Sequence, residues 1–315
     1  MLAADPTEPT ARRLLLAAWL DLRAGRLSDA KVGLAAAATR PALRRNAVLA
    51  AAITVGLARR SGDANLLASC WHRAAPVVAG AEVELLQVDV WGELSAGAAA
   101  VPAGAAAAQT MATALGSAVE AAGAPVWFAA GVQWWRVQRA AIAGDAAGAA
   151  VAAKTLAELA EAAGSAQVDA LAVAARCWSE VLAGRVDADW IRRAGSRLVA
   201  VGRPWEAAAL CLAAAAAADD PAVARLLLGA GRGLRGRVSP DRATGRDGLS
   251  QREREVGRLV LDGLTQREIG ARLYISPKTV EQHVARLRQK LAANNRAELV
   301  AALRARLQPG QRRTG

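Results

Sequence analysis

The sequence predicts an all-α chain in two units: a long N-terminal region of stacked helical hairpins and a short C-terminal unit of four helices. Three observations carry this. The 315 residues suffice for two domains, each with its own core. Much of the 54% hydrophobic content is alanine, the residue with the strongest intrinsic helix preference. Charge is also unevenly placed. From Gly248 onward there are 14 Lys+Arg against 6 Asp+Glu, whereas the first 247 residues hold 26 against 22, so two-thirds of the net charge of +12 sits in about a fifth of the chain. A basic module of that size suits a polyanionic partner, because each neutralised phosphate releases counterions.

The N-terminal unit is expected over residues 1–235. In its first helix Leu15, Ala18, Trp19 and Leu22 recur at the spacing of one helix face, and late in the unit Trp205, Ala208, Ala209 and Leu212 repeat the pattern. Turns share a Gly-plus-polar signature at Gly25 to Asp29, Gly62-Asp63, Gly144-Asp145, Gly184 to Asp187 and Gly202-Arg203-Pro204. Gly ends one helix in a left-handed cap, and Ser or Asp opens the next. Gly25 and Gly62 lie 37 positions apart, Gly144 and Gly184 lie 40 apart, intervals that fit tetratricopeptide-like helical hairpins.

Several function classes fall away. The uncharged stretch Leu94 to Val119 is long enough to cross a bilayer, but it is mainly Ala, Gly, Ser and Thr, which reads as a closely packed helix pair with no membrane partner. The segment Met1 to Pro6 lacks the basic and apolar regions of a secretory signal, so the expected location is cytoplasmic, on the nucleoid. Cys70, Cys177 and Cys211 are odd in number and without CxxC spacing, which predicts buried reduced thiols. His72 beside Cys70 does not complete a metal site, and no metal, cofactor or catalytic residue is expected. The fragment Gly148 to Thr155 lacks the glycine before its lysine that a phosphate loop needs. The N-terminal half shows no strand pattern, which argues against alternating α/β sensor folds. All this predicts a protein that is not an enzyme.

All nine tryptophans lie in the N-terminal unit, with Trp127, Phe128, Trp134 and Trp135 clustered near its middle. Large indoles fill gaps between alanine-rich helices; a groove holding a small-molecule or protein effector is the functional alternative. From Gly231 the chain turns rich in Gly and Arg, and residues 236–248 are expected to form a flexible basic linker.

Four helices are expected over 249–308, followed by a disordered tail at 309–315. Ser250 with Glu253 forms a capping-box pattern, and Val256, Leu259 and Val260 give the first helix its buried face. After Gly263, Thr265 with Glu268 caps the second helix, whose Ile269 and Leu273 point inward. A short turn through Tyr274 and Ile275 leads to Ser276-Pro277, which opens the third helix because proline at the first helical position loses no hydrogen bond. Two short helices joined by a tight turn make a helix-turn-helix.

On the third helix, about 277–291, a rotation of about 100° per residue places Val280, Val284, Leu287 and Leu291 on one side. The opposite face is polar and basic, and suits the major groove of double-stranded DNA. Glu281, Gln282 and Ala285 are the expected base contacts: Gln282 reads an adenine edge, Glu281 accepts from cytosine N4, and Ala285 meets a thymine methyl. Thr265, Ser276, Lys278, Thr279, His283, Arg286, Arg288 and Gln289 are the expected phosphate contacts. The fourth helix begins near Asn295, with Glu298 at the capping-box position, and carries Leu299, Val300, Leu303 and Leu307. Part of that set covers the core, and the rest is the expected homodimer contact.

The runs Leu249-Ser-Gln-Arg-Glu-Arg-Glu-Val, Gly263-Leu-Thr-Gln-Arg-Glu-Ile, Ile275-Ser-Pro-Lys-Thr-Val-Glu-Gln-His-Val and Asn295-Arg-Ala-Glu-Leu-Val together resemble the LuxR-type DNA-binding domain over about sixty positions. Gly202 to Ala208 also resembles the helical-repeat region of large LuxR-type regulators. The resemblance implies a transcription regulator whose third helix reads DNA and whose fourth pairs two subunits on an inverted-repeat site. The alternative is a helical-repeat interaction adaptor with secondary DNA binding. Gly257 replaces the family's usual leucine, at an expected cost of about 1 kcal/mol in helix propensity plus any unfilled volume. Gly270 replaces the usual alanine, and Ala292-Ala293-Asn294 a Gly-containing turn.

Overall fold

A computed structural model describes residues 10–40, 44–238, 249, 251–273, 277–291, 293 and 295–307, with backbone alone at 44–45, 235–238, 251–252, 270–273 and 277–279. Among the described residues every regular element is helical. The chain divides into two compact units, Met1–Val238 and Ser239–Gly315.

The first unit contains α1 (Ala11–Arg23), α2 (Leu27–Ala38), α3 (Arg44–Ser61), α4 (Ala64–Ala79), α5 (Val88–Ala99), α6 (Ala105–Ala121), α7 (Val126–Ala143), α8 (Ala146–Ala163), α9 (Ala166–Leu182), α10 (Ala188–Ala200), α11 (Pro204–Ala217) and α12 (Pro221–Val238). Each odd-numbered helix packs on the even-numbered helix that follows it. The odd-numbered helices also touch in succession from α1 to α11, so they form one layer of stacked hairpins. The expected caps form at Asp63, Asp145 and Asp187, whereas α2 opens after Arg26 with Ser28 and Asp29 inside the helix, and α11 opens after Arg203, neither with a side-chain cap. Gly144 (φ 69°) ends α7, and the Asp145 carboxylate accepts the Gly148 N–H at 2.8 Å to open α8. The Gly148 to Thr155 fragment thus lies in the first turns of a helix and forms no phosphate loop.

The stretch Leu94 to Val119 is a helix pair, the end of α5 and most of α6, broken by a 3-10 turn at Pro102–Gly104. Its small residues permit close approach: a Cβ at Gly97 would stand 2.1 Å from Val55 Cγ1. Among the described residues no helix is long and apolar enough to cross a membrane.

On α1, Leu15, Ala18, Trp19 and Leu22 are buried as expected. On α11 the expected stripe is displaced. Trp205, Ala209 and Leu212 are only half-buried, whereas Ala207, Leu210, Cys211 and Ala214 are buried with Ala208, because this helix is packed on several sides. The expected loss of structure from Gly231 is also corrected, since α12 continues to Val238. Gly231 sits where a Cβ would meet Leu212 Cγ at 2.8 Å and the Ala208 carbonyl at 3.3 Å, so it marks a close crossing of α11 and α12. Residues 239–248, the rest of the expected linker, and 309–315, the expected tail, lie outside the described residues.

The interior of this unit carries ions, a feature with no signal in the hydrophobic period. Glu93 is fully buried on α5 and accepts from Arg59 Nε and Arg60 Nη1 on α3, both at 2.8 Å. Asp89, one turn earlier, meets Arg23 at 2.5 Å, Arg203 at 3.2 Å and the Trp135 indole N–H at 2.8 Å. Burial by itself raises the Glu93 carboxyl, but the Arg59 and Arg60 charges and hydrogen bonds outweigh it and hold the group at about 2. Asp89 is likewise raised by burial and driven further down, well below the usual carboxylate range, by Arg203, Arg23 and Trp135. The guanidinium groups of Arg59 and Arg60 lie over Trp205, 4.6 and 4.7 Å from the ring centroid, which draws α11 onto α3. All three cysteines are free and buried, and burial pushes the Cys177 thiol up to about 12.

Candidate nucleic-acid interface

The second unit contains α13 (Gln251–Leu261), α14 (Gln266–Leu273), α15 (Pro277–Leu291) and α16 (Arg296–Leu307). Its core is apolar: Leu249, Val256, Leu259, Val260, Ile269, Val280, Val284, Leu287, Leu299 and Leu303 are buried together. Gly263 (φ 84°) ends the turn after α13, where a side chain would be strained.

Two expected capping boxes form. The Glu268 N–H donates to Thr265 Oγ1 at 3.3 Å, and the Glu268 carboxylate accepts from the Thr265 N–H at 2.7 Å and its hydroxyl at 2.8 Å. The backbone and hydroxyl bonds from Thr265 lower the Glu268 pKa. At α16 the Glu298 N–H donates to Asn295 Oδ1 at 2.9 Å, and Asn295 Nδ2 donates to Glu298 Oε1 at 2.7 Å. Ser250 lies outside the described residues, and with it the box expected at α13.

These caps fix where α14 and α16 start, and the burial of one stripe of α15 in the core fixes which side of that helix faces out. Val280, Val284 and Leu287 are buried, and Leu291 packs against the same core. Glu281, Gln282, Ala285, Arg286, Arg288 and Gln289 are exposed. The three expected base contacts therefore share an accessible side of one helix with three of the expected phosphate contacts. Thr265 is exposed at the start of α14, whereas His283 is only half-buried at the edge of the stripe. Lys278 and Thr279 fall on the first turn of α15, where the backbone alone is described, and Ser276, with Tyr274 and Ile275, lies outside the described residues.

One positioning contact escaped sequence reasoning. Lys290, near the end of α15, donates to the nearly buried Glu253 carboxylate on α13 at 2.7 Å. The pair is 37 positions apart, so no local pattern signals it. Arg296 reaches the Leu264 carbonyl at 3.3 Å and Arg254 the Leu249 carbonyl at 3.0 Å, tying α16 and the segment before α13 to the same frame. A charged contact at the C-terminal end of α15 thus helps set its pose while its outer side stays open.

The dimer expectation on α16 needs correcting in part. Leu299 and Leu303 are 1% and 0% exposed within the unit itself and cannot serve as contacts between copies. Val300 and Leu307 are half-buried. Gly257 explains the draw of α16 toward α13: a Cβ there would lie 2.9 Å from Leu303 Cδ2 and 3.3 Å from Leu307 Cδ1. The leucines of α16 occupy the space that a larger residue at 257 would fill, so no void results. Gly270 has no described side-chain surroundings, and of the 292–294 turn only Ala293 is described, buried with its N–H on the Arg288 carbonyl at 2.9 Å.

The family model "Bacterial regulatory proteins, luxR family" matches residues 247–303. The spore germination protein GerE of Bacillus subtilis is 42% identical over 55 residues, 18% of this chain and 74% of that protein. The transcriptional regulatory protein DegU of Brevibacillus brevis is 48% identical over 52 residues, 16% of this chain and 22% of that protein. The transcriptional regulatory protein UhpA of Escherichia coli is 47% identical over 58 residues, 18% of this chain and 30% of that protein. The chain thus spans under a third of the length of DegU and UhpA, and the stretch that the family model matches lies in the second unit. No solved structure matches the chain. On the family model and the extent to which GerE is covered, the chain belongs to the luxR family of bacterial regulatory proteins.

Proposed function

We propose that the chain is a sequence-specific DNA-binding transcription regulator that inserts α15 into the major groove. The observation that carries this is the division of α15: an apolar stripe anchored in the core, and an outer side of amide, carboxylate, methyl and guanidinium groups. Gln282, Glu281 and Ala285 read base edges. Arg286, Arg288, Gln289, Thr265 and His283, with Ser276, Lys278 and Thr279 at the start of the helix, hold the phosphates. Two copies bind an inverted repeat, with Val300 and Leu307 of α16 as the contact. The first unit responds to a small-molecule or protein effector, and the protein works in the cytoplasm on the nucleoid with no catalytic activity of its own.

Fluorescence anisotropy of the full chain on labelled duplexes tests this. Gln282→Ala is expected to lower discrimination at one base pair by about 1–3 kcal/mol. Arg286→Ala is expected to weaken all duplexes alike and to reduce the salt slope by about 1. Absence of affinity for any duplex at low salt defeats the reading, and equal loss of discrimination in both variants defeats the assigned roles.

A further inference from the structure

A trough of about 710 Å³ lies along the first unit between α10 and α12. Its α10 wall carries Arg192, Arg193, Ser196 and Arg197, all exposed. Its α12 wall carries Gly229 and Gly233, where an added Cβ would meet nothing within 4 Å. One wall is therefore guanidinium and hydroxyl, and the other leaves helix backbone uncovered. The rest of the lining is apolar apart from Asp189.

The exposed charge is one-sided. Along its whole length α10 has three arginines against Asp189, and α12 has four, Arg225, Arg232, Arg235 and Arg237, with no acidic residue. Asp187, Asp219 and Asp220 lie before the two helices and outside the lining, Asp187 and Asp220 as caps of their first turns. Arg192 meets Asp189 at 3.2 Å, and Arg197 meets Asp169 of α9 at 2.6 Å. Both pairs are at least half exposed, where an ion pair is worth little and a phosphate oxygen can take the carboxylate's place. Arg193 has no acidic partner among the described residues.

We infer that this trough holds phosphates of the same duplex, flanking the bases that α15 reads, an inference that rests on the DNA-binding reading. Arginine forks match phosphate oxygens two at a time. The lining has no aromatic or methionine side chain, the anchors on which protein interfaces rely. Chain linkage adds to this: α12 ends at Val238 and the second unit is described from Leu249, so a duplex bound there is presented to the trough at high local concentration.

Fluorescence anisotropy of the full chain over a salt series tests it on a labelled duplex of about 40 base pairs, long enough to extend beyond two half-sites. Arg192→Ala/Arg193→Ala/Arg197→Ala is expected to reduce the slope of log affinity against log salt by about 2 and to weaken binding at least about tenfold at about 0.1 M salt. Gly229→Glu/Gly233→Glu puts two carboxylates into open space and improves helix propensity, so the fold is kept while the loss is expected to be at least as large. A control of equal charge, Arg13→Ala/Lys31→Ala/Lys154→Ala, alters exposed positions outside the lining and is expected to change the slope by less than about 0.5. Slopes within about 0.5 of the parent in both trough variants overturn the inference and leave the trough to an acidic protein surface. An equal fall in the control also overturns it, because the loss then comes from overall charge. If the parent binds no duplex, the DNA-binding reading falls and takes this inference with it; duplex binding with unchanged slopes fells the inference alone.

Discussion

In the second unit, Val256, Val280, Leu287 and Leu303 meet in an apolar centre, and the described ion pair lies at the C-terminal end of α15, where Lys290 meets Glu253. In the first unit, Glu93 and Arg60 are fully buried among alanine-rich helices, joined by Arg59, Arg203 and Glu206. The contrast follows from side-chain volume. Four helices bearing Leu, Val and Ile fill a small centre by themselves. Helices rich in alanine and glycine come close but offer few large groups, so position is fixed by tryptophan and by ion pairs whose partners must meet. A buried pair of this kind is a weak source of net stability but a strong penalty on any arrangement that breaks it.

The largest expected effect is at Glu93. Glu93→Gln leaves two guanidinium groups buried without their carboxylate, and a loss of about 3–5 kcal/mol is expected in urea unfolding followed by tryptophan emission, which reports the first unit alone. A loss below about 1 kcal/mol, the range of an exposed pair, would break the comparison.

Acid sharpens it. The Glu93 carboxyl has an ordinary value of 4.5 and is held at about 2 in the fold, so the unfolded chain takes up its proton first as pH falls. Its contribution is complete above about 4.5 and is lost as pH drops toward about 2, and Asp89 acts in the same direction. Tryptophan-detected melting midpoints are expected to fall across that window, and to fall less steeply in Glu93→Gln. The smallest effect lies in the second unit, where Thr265→Ala removes a helix cap worth about 1 kcal/mol. It is expected to speed amide exchange in the first turn of α14 and leave the first unit's melting untouched.

What the sequence made legible was local. The capping pairs Thr265 with Glu268 and Asn295 with Glu298 sit three residues apart, and the two sides of α15 follow from one period. Contacts across the chain were not legible: Arg23 and Asp89 are 66 positions apart, Asp89 and Arg203 are 114 apart. At the end of α12 the alternation of Gly and Arg resembles a tether, whereas in the fold Gly231 lets α11 come close. On α16 four apolar residues gave no hint of which would turn inward until Gly257 drew Leu303 and Leu307 toward α13.

The joining of Arg23 on α1 and Arg203 before α11 through one carboxylate on α5 alters how the first unit comes apart. Stacked hairpins held by nearest neighbours alone peel from their ends one repeat at a time. Here the opening hairpin cannot fray without stranding Asp89 beside a single arginine, and the last hairpin cannot leave without stripping Trp205 from Arg59 and Arg60. A quasi-linear array tied in this way is expected to unfold all-or-none, as a closed globule does.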